Sequence, residues 1–263
     1  MDFKKIAVFG GVYNNYIALE ALIADVKKRG ADELFCLGDL GAFGPNPDKV
    51  FPLLMENSIQ VMQGNYDNSI GNGLADCRCG YTDPRDNHFA KLSYDYTFAN
   101  TSDKYKQWMR YLPKEFKIHL GKYRVRMAHG SPRRMNEFLW ESTTPDQFLG
   151  KLFRDYESDI ILATHTGIHW QRHLEEDKHF VNVGVIGRPE NNGQVNVWYT
   201  MLSIARDQEL QVESIPLGYD YKSLAMEMEY EKLPKEFTDT VLTGWWTTCL
   251  EILPAKERKR GKY

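Results

Sequence analysis

Short apolar runs alternate with stretches whose apolar residues fall three and four apart over the first sixty positions of the chain. Residues 4–9, KKIAVF, read as a buried strand. Leu19, Leu22, Ile23 and Val26 follow at helical spacing, and Lys27-Lys28-Arg29-Gly30 closes that helix with cations and a glycine. ELFCL is a second strand entering Gly38-Asp39; GPNPDKVFPLLMEN is a turn and a short helix starting near Pro47, with Pro52 as a kink point. SIQVM is a third strand, ending in Gly64-Asn65-Tyr66-Asp67. Strand, helix, strand, helix, strand in this order predicts right-handed βαβ units and a largely parallel sheet.

The middle of the chain is less regular. Residues 72–88 are rich in turn formers and hold Cys77 and Cys79, and residues 102–111 read as helix. EFKIHLGKYRVRMAHG predicts a hairpin about Gly121-Lys122, because both arms alternate apolar and polar positions. A polar, helical segment at 132–157 leads to the strand-and-loop SDIILATHTG; KHFVNVGVIG, VNVWYTMLSI and LQVESIPL are strand-like. An amphipathic helix near residues 220–229 and a basic, solvent-facing tail, KERKRGKY, complete the pattern. The GWWTTC stretch reads as aromatic packing. No repeat, low-complexity stretch or long linker divides the chain, so residues 1–263 read as a single domain.

Composition narrows the class. The 263 residues are 42% hydrophobic and 26% charged with a net charge of −3, which offers no electrostatic reason to expect nucleic acid or an anionic membrane as partner. No apolar stretch reaches the roughly 18–20 residues of a membrane span. The N-terminal apolar run is a strand signal rather than a secretory leader. Four cysteines in this length do not make a disulfide framework; Cys77 and Cys79 are expected as free thiols, Cys36 and Cys249 as core, and the chain as cytoplasmic.

In open α/β sheets ligands bind beyond the carboxyl ends of strands, and metal-type residues recur at that place here. Asp39 follows ELFCL, Asn65 and Asp67 follow SIQVM, His129 follows YRVRMA, and His165 follows IILAT, each with glycine adjacent or within two positions. Four such loops with one topological placement point to a single convergent site. The loop after the first strand, Gly10-Gly11-Val12-Tyr13-Asn14-Asn15, has the same placement but carries no carboxylate, histidine or lysine. His88, His119, His173 and His179 have no motif context.

The order and spacing of these loops resemble the calcineurin-like metallophosphoesterases, and in particular their small bacterial and archaeal branch of diadenosine-tetraphosphatase-like and phosphodiesterase-like proteins. LGDLGAFGPNPDKV is similar to the G-D segment of that family, MQGNYDNSI stands where G-N-H-D stands, AHGSPR matches the H-G loop, and NVGVIGRP resembles the closing glycine-rich segment. The resemblance implies a four-layer α/β/β/α sandwich of two mixed sheets. It also implies a two-ion site, with a shared aspartate and a hydroxide bridging the ions.

Carried over residue by residue, the pattern is half complete. The D-x-H positions fall on Gly11 and Tyr13, and the second histidine of G-H-x-H falls on Gly167, so every ligand private to the first ion is missing. The second ion's set matches Asp39, Asn65, His129 and His165. The resemblance therefore implies one divalent ion, Mn²⁺, Fe²⁺ or Zn²⁺. Tyr66 replaces the histidine credited with leaving-group protonation, beside Asp67, and these two are the expected catalytic residues. Arg133 and Tyr13 are candidate phosphate contacts, and His169 a replacement ligand through a shifted loop. Two readings follow: a metal-dependent phosphoesterase acting on a small phosphomonoester, phosphodiester or nucleotide, or a binding or scaffold protein that keeps the fold without turnover. The expected partner is a small phosphorylated substrate, with no nucleic acid or membrane and with self-association left open.

Overall fold

The computed structural model describes residues 2–205 and 209–259. Strands β1 (Asp2–Phe3) and β2 (Lys5–Phe9) precede helix α1 (Tyr16–Arg29), strand β3 (Glu33–Cys36), helix α2 (Val50–Glu56) and strand β4 (Gln60–Val61). Helices α3 (Asn65–Gly71), α4 (Pro84–Asn100) and α5 (Asp103–Arg110) follow, then the hairpin β5 (Phe116–Leu120) and β6 (Tyr123–Met127). Helix α6 (Asp146–Asp155) leads to β7 (Ile160–Ala163), β8 (Trp170–Leu174), β9 (Lys178–Asn182), β10 (Val197–Ile204) and β11 (Leu210–Leu217). Helices α7 (Tyr221–Tyr230), α8 (Lys235–Thr243) and α9 (Ala255–Lys259) come last.

The strands form two mixed sheets, ordered β1-β5-β6-β7-β9-β8 and β11-β10-β2-β3-β4. The βαβ expectation holds for the parallel pairs β2–β3 and β3–β4, while β10 runs antiparallel to β2. Ile6, Val8, Phe35 and Leu37 of one sheet meet Val125, Met127, Ile160 and Leu162 of the other in a dry layer between the sheets. The opposite faces are closed by helices. Leu19, Leu22 and Val26 of α1 pack on Ala7, Phe9 and Cys36, and Leu149, Leu152 and Phe153 of α6 on Ile161, Ala163 and Phe180. That is the α/β/β/α sandwich.

Local chemistry accounts for most element ends. Asn15 caps α1 by accepting from the Ala18 amide at 3.0 Å, and Gly30, at φ 67°, ends it in the left-handed conformation. Pro52 is the third residue of α2, in the first turn, where a missing amide proton costs least. The 17-residue α4 went unpredicted because its inward face mixes Phe89, Ala90 and Tyr94 with buried Asp86, Ser93 and Thr97, which breaks the apolar stripe. Asp83 and Pro84 did announce its start, the carboxylate accepting from the Arg85 amide at 2.8 Å. Helix α8 and strand β8 were likewise unpredicted, and of the segment 132–157 only α6 is helical.

The tail does not stand free at its root. Glu257 is buried and accepts from the Ser142 amide at 2.9 Å, whereas residues 260–263 of the basic run lie outside the described residues. No helix among the described residues is long and apolar enough to cross a membrane.

Asp159 ties three strands of the larger sheet together. It accepts from Arg124 at 3.0 Å and from Lys178 at 2.7 Å, and Arg124, ahead of burial, holds its carboxyl well below its ordinary value of 3.8. The folded state therefore gains from this carboxylate at neutral pH and loses that gain progressively as the pH falls from its unfolded value, near 4, through its lower folded value. After screening of a partly exposed pair, Asp159→Asn should lower stability at pH 7 by about 1 kcal/mol, or roughly 2–4 °C in melting temperature. The gap between variant and wild type should narrow by pH 3, as calorimetry at the two pH values would read.

Candidate metal centre and the cavity beside it

Residues Asp39, Asn65, His129 and His165 follow the ends of β3, β4, β6 and β7, two from each sheet, so the sheet stacking brings them to one edge. Asp39 Oδ2 lies 3.2 Å from His129 Nε2, and His129 Nε2 lies 3.2 Å from His165 Nδ1. One ligand-type atom from each of these three residues falls within 4.8 Å of the others, and all three residues are buried. Asp39 (φ 59°) and His165 (φ 72°) both adopt the left-handed backbone conformation. Non-glycine residues are held there only where the surroundings over-determine them. Gly64 makes the approach feasible, since a side chain on it would begin 2.9 Å from His129 Cε1.

The outer nitrogen of each ring is committed elsewhere. His129 Nδ1 lies 2.7 Å from the Leu37 carbonyl, and His165 Nε2 lies 3.2 Å from the Cys79 carbonyl. A carbonyl only accepts, so both outer nitrogens carry protons and, in the neutral rings, both inner nitrogens present lone pairs to one point. Two lone pairs and a carboxylate oxygen at this separation require a cation among them. Burial opposes charge on His129, yet Asp39 raises its pKa above the ordinary imidazole value. Burial and the charge on His129 push His165 down to about 3. For Asp39 burial acts upward, but the two histidines prevail and hold its carboxyl low. A proton on His129 and none on His165 is the electrostatic solution of the protein alone; a divalent ion at the same point supplies the charge instead.

Asn65 completes the fit. Its Nδ2 donates to the Cys77 carbonyl at 2.9 Å, while its Oδ1 is buried with no hydrogen-bond partner. An orphaned amide oxygen is costly unless something positive meets it. Two imidazole nitrogens, a carboxylate and an amide oxygen form a donor set suited to Mn²⁺, Fe²⁺ or Zn²⁺.

Other expected residues take different places. Cys77 and Cys79 are not free thiols: their sulfurs are bonded to each other. The loop they close supplies the carbonyls that orient Asn65 and His165. Asp67 is fully buried and accepts from the amides of Asp39 (2.7 Å), Gly64 (2.8 Å) and Leu40 (3.0 Å), so both its oxygens are engaged. Expected as a catalytic residue, Asp67 has its pKa raised to about 6 by burial and the neighbouring Asp39 carboxylate, and its oxygens accept from the backbone that carries Asp39. The Tyr66 hydroxyl faces α4, donating to Ser93 Oγ at 3.2 Å, and burial raises its pKa further, which removes it as an acid near neutrality. Arg133 pairs with Glu137 at 2.9 Å and lies over the Phe148 ring, a partnership available within its own loop. His169 is held by Glu190 at 2.6 Å and stacks on Trp198, outside the convergent cluster.

Beside the cluster lies a cavity of about 50 Å³, lined among others by Asp39, His165, Tyr13, Tyr66, Tyr81 and Arg188. Tyr13 occupies the loop that lacks metal-type residues. A side chain on Gly11 would begin 2.6 Å from its Cε1, so the ring rests on glycine where the family pattern has an aspartate. Burial raises the Tyr13 pKa, which keeps the hydroxyl protonated and able to donate. Sequence reasoning missed Arg188; its only signal was a place next to Gly187 in the glycine-rich segment.

With this geometry in view, the comparisons are specific. A model of the calcineurin-like phosphoesterase superfamily domain matches residues 5–207. The chain belongs to that superfamily. It is 22% identical over 255 residues to an uncharacterised protein of Methanocaldococcus jannaschii, covering 92% of this chain and 98% of that one. Among solved structures, a hypothetical protein from Pyrococcus horikoshii OT3 superposes with a TM-score of 0.76 at 21% identity, over 94% of this chain and 100% of that chain. A metallophosphoesterase from Sphaerobacter thermophilus superposes with a TM-score of 0.70 at 20% identity, over 92% and 99%. Both likenesses are of fold.

If Asp67 is a clamp, its removal should cost stability. Asp67→Ala leaves three buried amides without an acceptor and should lower the melting temperature by about 10 °C. Asp67→Asn, which keeps one acceptor oxygen, should fall between. Equal melting temperatures for wild type and Asp67→Ala would overturn the clamp.

Proposed function

We propose that the protein is a metal-dependent phosphoesterase that hydrolyses a small phosphorylated compound with one divalent ion, Mn²⁺, Fe²⁺ or Zn²⁺, held by Asp39, Asn65, His129 and His165. The observation that carries this reading is the pair of imidazole lone pairs facing each other at 3.2 Å beside Asp39. When bound, such an ion polarises a phosphoryl oxygen and acidifies water. The chain's own part is to aim and exclude: Leu37 and Cys79 carbonyls fix the ring tautomers, Asp67 fixes the Asp39 backbone, and the Tyr66 ring walls the cavity. Tyr13 remains the candidate hydroxyl contact to phosphate.

Metal content should be about one ion per chain in protein purified without added metal, by plasma mass spectrometry. His129→Ala should carry none. Hydrolysis of a panel of small phosphoesters should vanish with a chelator and in that variant. An unchanged turnover in His129→Ala would defeat the hydrolase reading, and absence of metal after reconstitution would leave a protein that uses the fold for binding.

Proton competition gives a further check. Because His129 holds a proton more tightly than an ordinary imidazole, metal uptake should release a proton and weaken as the pH falls below neutrality. Calorimetry in buffers of different ionisation enthalpy would detect the release.

A further inference from the structure

Arg188 is a buried cation with no ion pair among the described residues. Its side chain follows β9 in the glycine-rich segment, is only 7% exposed, and lies 3.7 Å over the Trp246 ring, with Phe43 and Tyr13 on its other sides. The groups set against the guanidinium are the Cys249 thiol and the hydroxyls of Tyr13 and Tyr81. None is a carboxylate, the charge of Asp86 acts on it only through space, and Nε has no hydrogen-bond partner. Arginine does not shed its proton in a protein. A guanidinium taken out of water with stacking and a Cys249 contact as its compensation is a poor structural choice, and a good one for receiving an anion.

Its position sharpens the point. Arg188 lines the same cavity as Asp39 and His165. Its Nη2 lies 3.5 Å from where a side chain on Gly167 would begin, and the neighbouring Gly187 touches the Tyr13 ring. Gly11, Tyr13 and Gly167 are the three positions at which the family pattern expects the first ion's private ligands. The positive charge has not gone with those ligands: a fixed guanidinium stands beside them, steadied by three aromatic rings.

We propose that Arg188 binds the terminal phosphoryl group of a phosphomonoester, its N–H groups and the Tyr13 hydroxyl holding oxygens on the side where the family's first ion would lie. This rests on the one-ion phosphoesterase reading for the other side of the site. A terminal phosphoryl presents three free oxygens, enough for a guanidinium fork and an ion at once, whereas a diester presents two. The cavity, at about 50 Å³ and walled in part by Phe43, Phe89 and Phe237, has room for a tetrahedral oxyanion beside the guanidinium.

The test is a calorimetric titration of inorganic phosphate into chelator-stripped protein and into protein reconstituted with Mn²⁺. Wild type should bind phosphate in both states. Arg188→Met should weaken binding about tenfold or more in both, and Arg188→Lys should keep part of it. Metal content should be unchanged in the two variants. Arg188→Met should melt at or above the wild-type temperature, since it removes an uncompensated charge; a fall of many degrees would mark a structural arginine and overturn the proposal. Wild-type phosphate affinity in Arg188→Lys, with no change in stoichiometry or monoester preference, overturns the proposal too. Wild type should also prefer 4-nitrophenyl phosphate to bis(4-nitrophenyl) phosphate, and Arg188→Met should lose more of the monoester activity. Phosphate binding lost in Arg188→Met but present in metal-free wild type would stand even if the metal reading failed. Unchanged phosphate binding in a metal-loaded Arg188→Met would remove Arg188 and leave the metal reading intact.

Discussion

The Asp67 carboxylate accepts from the amides of Asp39, Leu40 and Gly64, and that one clamp underlies everything at the site edge. It joins the loop after β3 to the loop after β4 and fixes the backbone of Asp39, which lies in the left-handed region. Once Asp39 is turned this way, its Oδ1 accepts from the Tyr66 amide at 3.0 Å and its Oδ2 reaches across the sheet interface to His129. Release of the clamp would return Asp39 to ordinary backbone angles and take the carboxylate away from the histidines.

The second constraint is charge in a dry place. Asp39, His129 and His165 are nearly inaccessible to water, and so is Arg188, so each charge there must be answered by another at short range. On one side a carboxylate, an amide oxygen and two lone pairs ask for a cation. On the other a guanidinium asks for an anion. A divalent ion and a phosphoryl group are complementary to the two demands and to each other. On the proposed reading, the loss of half of the family's ligand set has a physical meaning: Tyr13 and Arg188 would offer a hydroxyl and a fixed charge where the first ion's private ligands are missing.

The Cys77–Cys79 loop shows how far a local feature can reach. Its carbonyls meet Asn65 and His165, so a segment that reads as an irregular turn in the chain sets the orientation of two of the four donors. Spacing alone argued for free thiols, because two cysteines separated by one residue fit no common zinc pattern; the pairing depends on how the backbone turns between them.

What the sequence by itself determined was the run of strands and helices and the position of the loops, the sandwich being what the family resemblance implied. Apolar runs of period two and helical stripes placed β2, α1, β3, the β5–β6 hairpin and β10, and glycine beside polar residues marked Asp39, Asn65, His129 and His165 as strand-end groups. These features are local, and local patterns are written in the order of the residues. Helix α4 was hidden because its buried face is partly polar, satisfied only by partners from distant loops such as the Phe43 amide on Ser93 Oγ at 2.6 Å. The direction of each side chain was likewise decided by tertiary structure. Asp67 and Tyr66 sit beside Asn65 in the sequence yet point to a backbone clamp and to α4, because the acceptors and donors they meet come from other elements. Arg188 acquired its meaning only when folding packed it under Trp246 with no carboxylate paired to it among the described residues, since an unanswered charge is a property of surroundings and not of a residue.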